Sequence, residues 1–337
     1  MLIEVLLAVT LVVGFGTLLA RDEVAHKVAF AGSLLPLAVS LLMWMRYDGA
    51  GNALLGGRLA FENLVPWFTL GPYTLTWHVG VDGISFPLVV LTTVLTPLAV
   101  LSAWTPIDER QSQFYGLMLL IEAALLGVFV ALDFFVWFVF WEAVLIPMYF
   151  LIGIWGGPRR KYAAIKFLVY TNVASLVMFL GLFALVFGLG DSLTTLSLPA
   201  IAQALAAGGL GGFAGLGADT LRLVAFVALF AGFAVKVPVV PFHTWLPDAH
   251  VEAPSPVSVI LAGVLLKMGT YALLRFNFTM LAEVAAQYAE VIAAIGVLSV
   301  IYGAMLALAQ RDLKRIVAYS SISSMGYVIL GLVAFNT

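Results

Sequence analysis

Apolar residues run through this chain in long blocks, and polar residues collect in the short stretches between them. A hydrocarbon core about 30 Å thick takes roughly 20 apolar residues of α-helix to cross. That length predicts ten membrane spans, near residues 2–20, 27–45, 83–104, 113–132, 134–155, 162–188, 221–247, 256–276, 286–309 and 314–335. Two connections are longer. Residues 46–82 contain "WFTLGPYTLTWHVG", whose alternation and Gly71-Pro72 pair predict a β-hairpin lying on the membrane surface. Residues 189–220 hold a Leu/Ala stretch followed by "GGLGGFAGLG". The first block, "LIEVLLAVTLVVGFGTLLA", lacks a basic lead-in and a following cleavage site, so it reads as a span rather than a leader.

Composition agrees with an all-α, polytopic membrane bundle. The 337 residues are 63% hydrophobic and 10% charged, where a soluble domain carries about 25% charged residues. There is too little polar surface to coat a globule in water. A net charge of −2 implies no basic face for nucleic acid. With no cysteine, thiolate-held iron–sulfur clusters, disulfides and thiolate zinc sites are ruled out. His26, His78, His243 and His250 show no metal-ligand spacing. "GLGGFA" at 209–214 fits a dinucleotide fingerprint formally but follows no predicted strand, so it reads as a connection. Neither a phosphate-binding loop nor a nucleophile elbow is present.

Basic residues in the connections set the direction. Arg21, Lys27, Arg110, Arg159, Arg160, Lys161, Arg311, Lys314 and Arg315 fall on one side, and Arg46, Arg58, Arg222 and Arg275 on the other. The first side is therefore expected in the cytoplasm, with the N-terminus and the hairpin outside.

Ionisable residues sit inside predicted spans, among them Glu122, Glu142, Lys166, Lys236 and Lys267. A charge at the bilayer centre costs at least about 2.5–3.5 kcal/mol on insertion scales, so such residues face the protein interior and mark ion or proton paths by default. Glu122 lies eleven residues before the turn at Asp133 and Glu142 nine after it, which places both roughly 14–17 Å deep. Lys267 lies eight residues inside Arg275, read as the outer end of its helix. The competing reading makes these residues fixed ion pairs that hold helices together. Lys166, five residues past Lys161, can also reach the interface along its own stem.

"KVPVVPFHTWLPDAH" then explains itself. Pro238 and Pro241 break a helix just after Lys236. Carbonyls freed in hydrocarbon need protein or water as partners, and broken helices are where transporters build ion sites. Burial and a neighbouring carboxylate pull an amine's proton affinity in opposite directions. A tenfold change in that affinity is worth about 1.4 kcal/mol, and one charge crossing 100 mV costs about 2.3 kcal/mol. An ion pair that forms and breaks therefore works on the scale needed to load and release a proton. His243, just past the break, is either a proton relay or a helix-end histidine bonded to a freed carbonyl. Gly263 and Gly269 flank Lys267 and admit close helix packing.

Three stretches, "DFFVWFVFWEAVLIPMYFLIGIWG", "KVPVVPFHTWLPDAHVEAPSPVSVILAGVLLKMGTYALLRF" and "QRDLKRIVAYSSISSMGYV", resemble the antiporter-like subunits of respiratory complex I, the M-type subunit most of all. The resemblance spans about residues 130–175 and 225–330. It implies a bundle of inverted five-helix repeats: N-terminal spans over 1–112, a first repeat over 113–276, and the start of an incomplete second repeat over 277–337. A chain that stops there reads as part of a longer one. Glu142, Lys236 and Lys267 match the family's proton-carrying residues, with Glu122, His243 and Lys166 as further candidates. Where the family often has histidine, this chain has Ser324. The resemblance further implies a bacterial cytoplasmic membrane and no cofactor in this chain. FMN, iron–sulfur clusters and quinone are expected in partner subunits, and L- and N-type antiporter-like subunits as neighbours. A cation/proton antiporter subunit, a membrane hydrogenase subunit and an inert scaffold are the alternatives.

Overall fold

A computed structural model describes residues 1–336. Nine helices among them are long and apolar enough to cross a membrane, and together with the shorter apolar α1 (Leu2–Leu18) they account for all ten predicted blocks. The chain is a multi-pass membrane protein. It divides into two compact units with interleaved segments.

The first unit takes Met1–Trp67, Thr76–Leu168 and Glu252–Leu265. Its centre is α4 (Gln111–Val130), which is buried over most of its length. Around α4 pack α1, α2 (Asp22–Met45), α3 (Ser85–Ser102), α5 (Phe134–Ala143) and α6 (Leu145–Trp155). Asp133 sets the α4–α5 turn. Its Oδ1 accepts from the amides of Phe135 and Val136, capping α5. Its Oδ2 accepts from the amide and hydroxyl of Thr76. The expected hairpin is present as β1 (Ala60–Leu70) and β2 (Tyr73–Val81), turning at Gly71 with φ +60°. The Leu132 amide donates to the carbonyl of His78, and His78 Nε2 lies 2.9 Å from a Glu62 carboxylate oxygen. This strand pair and the turn it grips hold the end of α4 in place.

The second unit takes Phe68–Leu75, Val169–Val251 and the chain from Leu266 onward. The long α7 (Arg160–Leu189) enters it from the first unit. The Leu/Ala stretch forms α8 (Leu198–Ala206). Then come α9 (Ala218–Lys236) and the short α10 (Trp245–Glu252). The next predicted span is not one uniform helix. It runs as α11 (Ser255–Ile260), a π-helical turn (Leu261–Leu265), α12 (Leu266–Ala272) and a second π-helical stretch (Leu273–Met280). After α13 (Ala282–Gln287), α14 (Ala289–Leu308) and α15 (Leu313–Asn336) pack as a close pair. Gly303 permits that approach, since a Cβ there would stand 2.6 Å from the Ser323 amide nitrogen.

Candidate functional site

In the second unit, α9 ends at Lys236, and Lys236 is fully buried at 0% exposure. The break begins one residue later, as the prolines require. Pro238 has no amide to continue the ladder. Two of the carbonyls that the break releases, those of Ala234 and Val235, are met within the unit. Val237 donates its amide to Phe233 O and Val239 to Ala234 O. The indole of Trp245 reaches back from α10 to donate to Val235 O at 2.8 Å. Val240 donates its amide to the Ser299 hydroxyl on α14 at 3.0 Å. Lys236 thus stands at the carbonyl end of a helix, where the dipole favours a cation, beside backbone held open by side chains. Trp245 and Ser299 are parts of this arrangement that motif reading missed. A buried tryptophan needs a partner for its N–H, and the shortage of backbone donors after "KVP" was the available clue.

Lys267 is half-buried on α12. Close packing at Gly269 brings its helix against the end of α9. A Cβ on Gly269 would meet Lys236 Cβ at 3.0 Å and the Val237 side chain at 2.9 Å. Gly263 instead approaches Leu95 of α3, within the first unit. Arg275 corrects the sequence reading. It is not in a connection but inside the span at 2% exposure, its guanidinium 5.1 Å from the Tyr271 ring centre. The helical segment continues to Met280, so Lys267 lies twelve residues from Ser255 and thirteen from Met280, near its midpoint. π-Helical turns often occur at functional sites, and the two here bracket the lysine.

His243 is buried and packs edge-on against Tyr302 of α14, ring centres 5.2 Å apart. His250 on α10 is also buried. Burial first, and the neighbouring Lys314 charge second, bring its pKa down to about 4. The Lys314 ammonium donates to the carbonyl of Val251 at 3.4 Å.

In the first unit, Glu122 on α4 is 1% exposed, with Thr96 of α3 beside its carboxyl. The Thr96 hydroxyl gives its proton to Thr92 O at 3.0 Å. Glu142 is half-buried at the last turn of α5. It too sits at an interruption. Val144 separates α5 from α6 while keeping helical dihedrals, because Pro147 lacks the amide that Ala143 O would accept from and its ring crowds that carbonyl. Lys166 is half-buried one turn beyond Tyr162, its Nζ 5.7 Å from that ring's centre. Glu122, Glu142 and Lys166 thus belong to the first unit, and Lys236, His243 and Lys267 to the second. Ser324 lies on α15. Among the described residues, no group of three or more His, Cys, Asp or Glu side chains is placed to hold a metal ion.

Residues 131–337 match the family model described as NADH:quinone oxidoreductase/Mrp antiporter, transmembrane. The chain belongs to this family. Among its relatives, NAD(P)H-quinone oxidoreductase chain 4 of Trichormus variabilis is 43% identical over 309 residues, covering 92% of this chain and 53% of the relative. The F(420)H(2) dehydrogenase subunit M of Methanosarcina mazei is 40% identical over 314 residues, 92% of this chain and 60% of the relative. The chain therefore spans little more than half the length of these curated relatives. A structure of respiratory complex I from Thermus thermophilus aligns with a TM-score of 0.83 at 28% identity, covering 99% of this chain and 65% of that one. A membrane-bound sulfane sulfur reductase shares the fold at TM-score 0.79. The fold of this NADH:quinone oxidoreductase/Mrp antiporter family member is thus an antiporter-like membrane bundle.

Proposed function

We propose that this chain is a proton-translocating membrane subunit of a bacterial NADH:quinone oxidoreductase. Electron transfer through FMN, iron–sulfur clusters and quinone takes place in partner subunits, and L- and N-type antiporter-like subunits are its membrane neighbours. Its N-terminus faces outside. Residues 1–112 form an N-terminal group of spans, 113–276 a first five-helix repeat, and 277–337 the start of a second. The observation that carries the reading is Lys236: a fully buried amine at the point where its span breaks. An amine kept there for packing alone is a poor exchange, since a buried cation costs several kcal/mol that an apolar residue of similar volume avoids.

In this reading Lys236 holds and releases the proton. The carbonyl end of α9 favours the cation, and the opened backbone past Val237 gives water a route to it. Lys267, on the helix that presses against Lys236 at Gly269, is the next acceptor. Glu142 and Glu122 supply carboxyl groups in the first unit, with Lys166 as a further carrier. His243 lies next to the break and relays protons on that side. The chain itself binds no cofactor and performs no redox step.

The family description also names antiporters, so a cation/proton antiporter or membrane hydrogenase subunit is the second reading. Purification from native membranes under mild detergent separates them. The proposal expects a complex carrying FMN and iron–sulfur centres that reduces quinone with NADH. A complex lacking flavin, or one that exchanges sodium for protons without electron transfer, refutes it.

A further inference from the structure

Three consecutive cations, Arg159, Arg160 and Lys161, open the thirty-residue helix α7. This is the wrong end for them. The first turn of a helix carries the positive pole of its dipole and favours anions. Among the described residues, none of the three has a carboxylate at ion-pair distance. The carboxylate of Glu252 meets the start of the helix, accepting from the backbone amide of Arg159 at 2.8 Å, and leaves the three side-chain cations without an ion-pair partner among those residues. Arg160 donates to the Gly156 carbonyl, and the Arg159 guanidinium lies 4.8 Å from the Tyr162 ring centre. All three cations are exposed, and residues 156–162 line a cavity of about 640 Å³.

We infer that this cavity binds the phosphate headgroup of an anionic phospholipid. The shape and charge ask for an anion, and the position says which. The segment joins two spans, Phe134–Trp155 and Arg160–Ser192, so it lies at the level where lipid headgroups are packed. Trp155 closes one span and Tyr162 begins the next, as aromatic residues do at membrane interfaces. Basic pockets at helix ends on a membrane surface take anionic headgroups, and arginine fits phosphate with two parallel hydrogen bonds. The three cations and the exposed Tyr162 then share one counter-ion.

The test uses the assembled complex from native membranes, reconstituted in nanodiscs of phosphatidylcholine doped with cardiolipin or phosphatidylglycerol. Lipid retained after delipidation is read by native mass spectrometry. The wild type is expected to keep at least one anionic lipid and to lose phosphatidylcholine. The triple variant Arg159→Gln, Arg160→Gln, Lys161→Gln is expected to bind that lipid about a hundredfold more weakly, roughly fivefold per cation removed. Arg159→Lys with Arg160→Lys, which keeps the charge, is expected to retain most of the binding and controls for misfolding. Equal retention by the glutamine variant overturns the proposal. So does displacement of the lipid by millimolar inorganic phosphate, which would identify a site for soluble anions instead.

Discussion

His250 should make this protein lose stability as the medium turns acid, and the size of the effect follows from its surroundings. In the unfolded chain its pKa is near 6.5, while burial and Lys314 bring it to about 4 in the folded state. A depressed histidine is neutral in both states above pH 6.5. Below that, the unfolded chain binds a proton that the folded chain refuses, so stability falls with falling pH until about pH 4. The difference of 6.5 minus 4, at about 1.4 kcal/mol per pH unit, comes to about 3 kcal/mol over the window. Roughly 2 kcal/mol of that is gone by pH 5. His250→Gln removes the titrating group. Melting of the detergent-solubilised chain, followed by tryptophan fluorescence at pH 7.5 and pH 5, should show the wild type losing a few degrees more than the variant. Histidine C2-hydrogen exchange read by mass spectrometry reports the midpoint directly. Lys314→Met should move that midpoint upward only in part, because burial is the larger cause. A His250 midpoint near 6.5, or an equal pH slope in His250→Gln, refutes the reasoning.

Other expectations concern how the broken helix is held. Trp245→Phe deletes the donor to Val235 O and strands a buried carbonyl, which should cost about 1–3 kcal/mol in unfolding experiments; the same melting temperature as wild type would exclude this role. Gly269→Ala gains up to about 1 kcal/mol in helix propensity but forces a Cβ to 3.0 Å from Lys236 Cβ and the Val237 amide. Overpacking of that kind costs about 1–3 kcal/mol, so the variant should melt earlier and carry protons more slowly; unchanged melting would mean that the two helices yield at this point. Asp133→Ala removes a helix cap and the one oxygen that accepts from both the amide and the hydroxyl of Thr76, an expected loss of about 2–4 kcal/mol, readable as increased amide exchange at the start of α5.

Most of the bundle is legible in the apolar blocks, because hydrocarbon demands helices and fixes their length. The hairpin is equally clear in the alternation around Gly71-Pro72. Proline rules placed the break after Lys236 correctly, since a missing amide acts locally. What sequence could not supply is how a break is repaired: Trp245 and Ser299 meet the opened backbone from nine and sixty-three residues beyond Lys236. Arg275 went wrong for a related reason. An arginine near a span end looks like a connection residue until the π-helical stretch is seen carrying the helix on to Met280. Pro147 was in plain view, but its effect on Glu142 emerged only when the α5–α6 interruption fell one residue past Ala143. The two units also interleave along the chain, a partition that no linear pattern of apolar blocks contains.

The central claim is that buried amines and carboxyls in this chain move protons. The most direct measurement is the proton-to-electron ratio of the assembled complex in proteoliposomes, comparing wild type with Lys236→Met and Glu142→Gln. A lowered ratio in complexes that still assemble and still reduce quinone is the predicted result. An unchanged ratio in both variants, with electron transfer intact, would contradict the claim and leave these residues as scaffolding.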